Sequence, residues 1–178
     1  MGFHHVAFAT RDLQGTHRFY TEAMGFELAK VAITPTPSGA WARHVFYEIS
    51  KDEYMAFWEL HDETIDAPWS PAISTGIGLP IWVNHLAFRA ADLDDIATRR
   101  QRLLDHGHTV SEIDHGWCTS IYTVDPNGIL VEFCVTTGVM TAADREEARQ
   151  LLTAPNPPPE MPKSVVIHKP QRRAVAVG

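Results

Sequence analysis

The sequence has 178 residues, of which 44% are hydrophobic and 21% are charged, as in a globular protein of one domain or two small modules. The formal net charge of −7 and the lack of a basic run argue against a nucleic-acid partner. No apolar segment resembles a signal peptide or is long enough to span a membrane, so we expect a cytoplasmic protein. Cys118 and Cys134 lack the spacing of a thiolate zinc site, and two cysteines make a disulfide framework an unfavoured interpretation.

The first sixty residues predict a βαβββ module. Alternation over residues 3–9 indicates a strand that puts His5 on one face together with small alanines. A helix is predicted over 12–24, with Asp12 as N-cap and Gly25 just past its end. Three further strands are predicted, over residues 26–33, 41–49 and 54–60.

A second module, residues 81–137, repeats the first. The segment HVAFATRDL begins at His5 and HLAFRAADL begins at His85, so both first strands open on a histidine. A helix over 92–106 and a strand over 108–113 follow. Such self-similarity indicates a duplicated βαβββ unit. Residues 61–80 are rich in proline and acidic residues and predict an irregular connection of the kind that often walls a pocket.

The second module closes with a predicted hairpin. Two runs of β-branched and aromatic residues, CTSIYTV and ILVEFCV, flank the turn signal Asp125-Pro126-Asn127-Gly128. Glu132 lies in the middle of the second run, where a carboxylate is costly unless it is paired, solvated or bound to a metal.

The composition changes after residue 137. A capped helix is predicted over 141–152, with Thr141 as N-cap, and a proline-rich segment follows over 154–162. The chain becomes basic at its end, with Lys169, Arg172 and Arg173. The sequence does not decide whether this tail, residues 138–178, packs on its own chain or on a second copy.

Three of these residues form a candidate metal site. If the modules pair their sheets about a pseudo-twofold axis, His5, His85 and Glu132 converge as the 2-His-1-carboxylate triad typical of non-haem Fe(II). A buried, hydrogen-bonded histidine is the commoner role for either residue alone, but it does not explain a histidine in both first strands. We therefore predict an α+β fold whose two modules form a curved mixed sheet around a metal, with the helices outside.

The modules, their opening histidines and the DPNG…E ending resemble the vicinal oxygen chelate superfamily over roughly residues 3–137. Its members include extradiol ring-cleaving dioxygenases, glyoxalase I, fosfomycin-resistance enzymes and bleomycin-binding proteins. His115, Tyr122, the DPNG turn and Glu132 are also similar to the narrower extradiol dioxygenase signature. That resemblance implies that Glu132 ligates the metal, that His115 faces the substrate as acid or base, and that Tyr122 hydrogen-bonds the bound oxygens.

Two features depart from the extradiol pattern. Glu59, in the last strand of the first module, resembles the fourth metal ligand of glyoxalase I. The ring-cleaving enzymes also have four modules and a further pocket histidine, a role for which His44 and His61 are candidates. Trp117 is close enough to His115 in sequence to be a candidate for substrate contact.

Three functions remain open at this point. The first is an Fe(II)-dependent extradiol-type dioxygenase that cleaves a catechol-like aromatic with O2. The second is a glyoxalase-like lyase or isomerase that uses a divalent metal as a Lewis acid, and Mn, Ni and Zn are the alternative metals. The third, a binding module of the bleomycin-resistance kind, is disfavoured by the two first-strand histidines. In either enzyme the partners are small molecules, one chain is expected to hold a complete site, and self-association through the tail stays open.

Overall fold

We describe the protein from a computed structural model, which defines residues 2–171; the predicted tail residues Arg172 and Arg173 lie outside this range. The elements in chain order are β1 (His5–Thr10), α1 (Leu13–Arg18), a π-helical turn (Phe19–Ala23), β2 (Glu27–Pro35), β3 (Trp41–Ser50), β4 (Glu53–His61), a 3₁₀ turn (Thr75–Ile77), β5 (His85–Arg89), α2 (Leu93–Asp105), β6 (Val110–Asp114), β7 (Cys118–Val124), β8 (Leu130–Thr136), α3 (Ala142–Leu151) and β9 (Ser164–His168). Every predicted helix and strand is present, with ends that shift by one or two residues.

The predicted pair of βαβββ modules is confirmed. The first sheet has the order β1-β4-β3-β2 and the second has the order β5-β8-β7-β6-β9. In each module the first strand runs parallel to the last, and the other pairs within the module are antiparallel. The class is therefore α+β, with two mixed sheets built on the same plan.

The two sheets are separate, and they differ in this respect from the joined sheet that the sequence predicts. Strands β1 and β5 are both edge strands, one in each sheet. His5 and Ala7 in β1, and His85 and Ala87 in β5, are all exposed. Within residues 2–171, each first strand therefore has one hydrogen-bonding edge without a partner strand, and such an edge can accept another strand.

The first helix contacts both modules instead of lying outside them. Tyr20 is fully buried against Tyr47 and Phe57 of the first sheet. Its hydroxyl donates a hydrogen bond to Asp125 Oδ2 of the second module at 3.0 Å. Phe26, just after the helix, packs on Phe133 of the second sheet. A single hydrophobic core therefore runs through both modules.

The DPNG turn forms as its sequence predicts and also joins the modules. Asp125 Oδ1 accepts hydrogen bonds from the backbone N–H groups of Asn127, at 2.9 Å, and Ile129, at 2.8 Å. Gly128 has φ 76°, a conformation that glycine adopts without strain. Asn127 Nδ2 donates to Thr16 Oγ1 of the first helix at 3.1 Å.

The tail contains one strand that the sequence analysis does not predict. Helix α3 begins with the expected capping box between Thr141 and Asp144 and buries none of its residues. After the proline-rich segment, β9 pairs antiparallel with β6 and adds a fifth strand to the second sheet. Its β-branched run, Val165 to Ile167, is the sequence signal for this strand.

Candidate functional site

Pairing register brings Glu132 and Tyr122 together on the second sheet. We call the face of each sheet that is opposite its own helix the open face. Tyr122 of β7 lies directly across from Glu132 of β8, and Ala87 of β5 lies on the other side of Glu132. All three side chains therefore share the open face with His85, since alternate residues of a strand point to the same side.

His85 and Glu132 form a close pair. His85 Nε2 lies 3.2 Å from Glu132 Oε2. Glu132 is 6% exposed, whereas the His85 side chain is 38% exposed. A carboxylate this buried is stable only with strong partners, because burial penalises its charged form. One imidazole nitrogen and one carboxylate oxygen, adjacent on an accessible face, are donors that suit Fe(II) and other first-row divalent metals.

His115 joins this pair through Tyr122. The backbone turns at Gly116, which has φ 90°. His115 N–H donates to Cys118 O at 2.9 Å, which fixes the loop at the start of β7. His115 Nε2 then lies 3.1 Å from the Tyr122 hydroxyl. The structure thus places Tyr122 beside Glu132, and His115 within hydrogen-bond distance of the Tyr122 hydroxyl.

The electrostatics keep Tyr122 protonated. Burial raises the pKa of the Tyr122 hydroxyl well above its usual value, and the charge and hydrogen bonding of Glu132 raise it further, against a lowering contribution from Ser120. At neutral pH this hydroxyl therefore carries its proton and acts as a hydrogen-bond donor.

Two thiols also lie on this open face. Register places Cys134 opposite Ser120 and Cys118 one step along the hairpin. Burial, with the neighbouring Cys134, raises the pKa of the Cys118 thiol to about 11, so this group is uncharged at neutral pH. It adds no competing thiolate beside Glu132.

His5 lies apart from this cluster, in contrast to the expectation of a complete site within one chain. It is on the open face of the first sheet, where its ring centroid is 5.9 Å from that of His44 and 5.5 Å from that of Phe46. Within residues 2–171, no three His, Cys, Asp or Glu side chains are placed to hold one metal ion. The chain by itself therefore brings together two of the three predicted ligands, His85 and Glu132.

The suggestion that Glu59 is a fourth ligand is corrected by its position. Glu59 pairs with Thr10 and Arg43, whereas the open face passes through Ala56 and Trp58. It therefore points to the helix face, where it makes an ion pair with Arg43 and contacts His61 Nε2 at 2.8 Å.

The counterpart of Glu132 in the first module is Ala56. Ala87 pairs with Glu132 in the second module, and Ala7, at the equivalent position of β1, pairs with Ala56. Glu59 is a candidate in the sequence because it lies in the last strand of the first module, as Glu132 lies in the last strand of the second. The pairing register gives the correct correspondence. His5 pairs with Tyr54 and His85 pairs with Leu130, so the residues two positions further on, Ala56 and Glu132, are equivalent.

The three predicted pocket residues separate in the structure. His44 is on the open face with His5, is 9% exposed, and stacks on Trp58 with ring centroids 3.7 Å apart. Its Nε2 is buried without a hydrogen-bond partner in the described chain. Burial, and then the nearby His5, lowers the pKa of His44. His61 instead stacks on Trp41, next to Glu59 and away from the open face.

Trp117 is 44% exposed in the loop next to His115. Its carbonyl accepts hydrogen bonds from the N–H groups of Thr137 and Gly138, each at 2.9 Å, which fixes the start of the tail beside this loop. The sequence did not predict that the tail would be attached here.

The chain belongs to the glyoxalase/bleomycin resistance protein/dioxygenase superfamily, whose family model matches residues 2–133. The predicted resemblance at superfamily level is therefore confirmed. The superfamily includes enzymes and binding proteins, so membership alone does not select a reaction. A comparison with curated proteins gives no match.

Several solved structures share the fold. A glyoxalase family protein from Enterococcus faecalis is 19% identical, with a TM-score of 0.51 over 75% of this chain and 97% of that one. TnmS3, an antibiotic binding protein from Streptomyces sp. CB03234, is 19% identical, with a TM-score of 0.52 over 77% and 97%. Lactoylglutathione lyase from Agrobacterium tumefaciens is 20% identical, with a TM-score of 0.50 over 75% and 92%. At these identities the likeness concerns the fold alone. Within residues 2–171, no helix has the length and apolar character needed to cross a membrane.

Proposed function

We propose that this protein is a metal-dependent extradiol-type dioxygenase that cleaves a catechol-like aromatic with O2. In that reaction a ring carbon–carbon bond next to a hydroxylated carbon breaks, and both oxygen atoms of O2 enter the ring-opened product. The observation that carries the proposal is Ala56 at the register position of Glu132. A carboxylate in one module only gives a three-ligand set, which leaves open positions for substrate and dioxygen.

The metal would be held by His85, Glu132 and His5. When bound, Fe(II) would supply the redox and Lewis-acid chemistry that activates catechol and dioxygen. The donor set fits this ion, since it consists of two imidazoles and a buried carboxylate and contains no thiolate.

His115 and Tyr122 would handle protons. His115 is within hydrogen-bond distance of Tyr122, so the two can relay a proton at the rim of the site. His115 would accept the second catechol proton and later return a proton to an oxygen of the reacting group. Tyr122, held protonated, would donate its one hydrogen bond to a substrate oxygen.

We propose that His5 comes from a second copy of the chain. In the part of the chain that the structure describes, β1 and β5 each have one edge without a partner strand, and each begins with one of the two proposed ligand histidines. Pairing β1 of one copy with β5 of the other would satisfy both edges and bring His5 to His85 and Glu132. A twofold dimer would then contain two shared sites.

The test of function uses protein loaded anaerobically with Fe(II) and a panel of catechols, with oxygen uptake as the readout. Turnover of at least one catechol is expected, with His115→Ala slower by roughly 10²–10⁴-fold while it retains metal. His106→Gln, which changes an exposed histidine just after α2, is the control and should turn over the same catechol within about tenfold. Normal turnover in His115→Ala would contradict the assigned role.

The test of the shared site mixes two inactive variants, His5→Ala and Glu132→Ala. A hybrid dimer would contain one doubly altered site and one intact site, so re-equilibrated mixtures should recover about a quarter of wild-type activity. No recovery, in mixtures shown by mass to contain hybrid dimers, would contradict sharing.

The alternative is a glyoxalase-like lyase or isomerase. It is supported by the buried carboxylate beside His85, which would serve a redox-inert metal equally well. Isomerisation of the methylglyoxal–glutathione hemithioacetal by the Zn- or Ni-loaded protein, without catechol-dependent oxygen uptake, would favour this alternative.

A further inference from the structure

A large cavity lies between the two modules, on the side of β5 away from Glu132. Its volume is about 560 Å³, within the range of small-molecule sites, and residues of both β1 and β5 contribute to its lining. Leu86 and Phe88 line it from the helix face of β5, whereas Glu132 and Tyr122 lie on the open face. His85, at the start of β5, borders the cavity as well as the candidate metal site.

Three phenylalanines form the back wall of the cavity. The ring centroids of Phe26 and Phe88 are 5.1 Å apart, and those of Phe88 and Phe133 are 5.8 Å apart. Met55 of the first sheet, 2% exposed, forms part of the opposite wall. An aliphatic chain or an aromatic ring that entered here would exchange water for apolar contacts on several sides.

Arg99 brings positive charge to this apolar wall. Its guanidinium carbon lies 4.3 Å from the centroid of Phe133, and its Nε donates to Asp95 Oδ1 at 2.9 Å. That contact orients the guanidinium through one nitrogen and leaves its two terminal amino groups for a carboxylate. Arg89 also lines the cavity, and the one acidic residue in the lining, Glu53, accepts a hydrogen bond from Ser50 Oγ at 2.6 Å.

We propose that this cavity is a second ligand site, which binds a small carboxylate with an apolar chain or ring. The carboxylate lies at Arg99, and the apolar part lies against Phe26, Phe88 and Met55. The cavity shares His85 and Ala87 with the edge of the metal-binding face, but the proposed contacts to Arg99, Phe26, Phe88 and Met55 need neither metal nor the proposed reaction.

Calorimetry on EDTA-treated protein tests the site with octanoate as probe and octan-1-ol as its uncharged counterpart. Octanoate should bind to the wild-type protein. Arg99→Gln should lower the affinity for octanoate at least tenfold and change the affinity for octan-1-ol by less than twofold, because only the carboxylate contacts the guanidinium. Arg100→Gln is the matched control. Arg100 is the next residue of α2 but makes an ion pair with Glu112, so this variant should bind both probes normally.

A second measurement locates the probe without altering the cavity. In protein with ¹³C-labelled methionine methyl groups, octanoate should shift the Met55 resonance and leave the exposed Met161 unchanged. Any of three results would overturn the proposal. Octanoate does not bind, Arg99→Gln and Arg100→Gln lose octanoate affinity equally, or octanoate binds without a shift of the Met55 resonance. Because the protein carries no metal in these experiments, failure here is distinguishable from failure of the dioxygenase assignment.

Discussion

Replacing Tyr20 by Phe should measure how strongly the two modules are held together. The change removes only the hydroxyl that donates to Asp125 across the module boundary. Both residues are buried, Tyr20 at 0% exposure and Asp125 at 5%. The ring, which stacks on Phe26 and Tyr47, is retained, so packing should change little.

The magnitude follows from the hydrogen bonds that Asp125 keeps. Its oxygens would still accept from the backbone N–H groups of Asn127 and Ile129 and from the side-chain amide of Asn127. The loss is therefore one charge-assisted hydrogen bond, about 2 kcal/mol, which corresponds to a fall in Tm of roughly 4–8 °C for a chain of this size.

Urea unfolding followed by circular dichroism is the assay. Tyr20→Phe should lower the midpoint without a change in slope, since the surface exposed on unfolding is unaltered. Tyr54→Phe, on the open face of the first sheet, is the control. Its free energy of unfolding should be lower than that of wild type by less than about 0.5 kcal/mol. If Tyr20→Phe lowers the free energy of unfolding by as little as the control does, the hydrogen bond between Tyr20 and Asp125 does not hold the modules together.

Three further outcomes are expected. Because burial lowers the pKa of His44 below its usual 6.5, the native state favours the neutral imidazole and loses stability as the pH falls below that value. Urea unfolding at about pH 7.5 and 5.5 measures this effect. Between these pH values the free energy of unfolding should fall less in His44→Phe than in wild type or in the control His106→Gln. Ala56→Glu adds a carboxylate at the counterpart of Glu132, so titration with Zn²⁺ should show at least tenfold tighter binding; unchanged affinity would mean that Ala56 does not face the metal. Glu59→Gln should leave that affinity within about twofold, and a tenfold loss, about 1.4 kcal/mol, would restore Glu59 as a ligand.

The sequence predicts the modules well because their signals are local. Alternating strands, the Asp12 N-cap and the DPNG turn each depend on a few neighbouring residues, and all appear in the structure. The cluster of Glu132, Tyr122 and His115 was also predictable, since the short turn fixes the register of the hairpin that holds it.

What could not be predicted depends on register and packing between distant segments. The side on which Glu59 points is set by its pairing with Thr10 and Arg43, and a one-residue shift reverses the face. The separation of β1 from β5 is likewise a matter of how the two modules pack, through contacts such as those of Tyr20 with Asp125 and Phe26 with Phe133. The roles of His5, His85 and Glu132 as ligands stay predictions.

The contacts between the first helix and the DPNG turn also constrain how the chain folds during synthesis. Thr16 and Tyr20 are made early, but their buried partners, Asn127 and Asp125, follow 111 and 105 residues later. At roughly 5–20 residues per second, translation leaves the Tyr20 hydroxyl without its native acceptor for several seconds. The Thr16 hydroxyl already has a partner within the first module, Thr10 Oγ1, at 2.9 Å. The buried hydrogen bonds that join the two modules can therefore form only after the last hairpin has emerged from the ribosome.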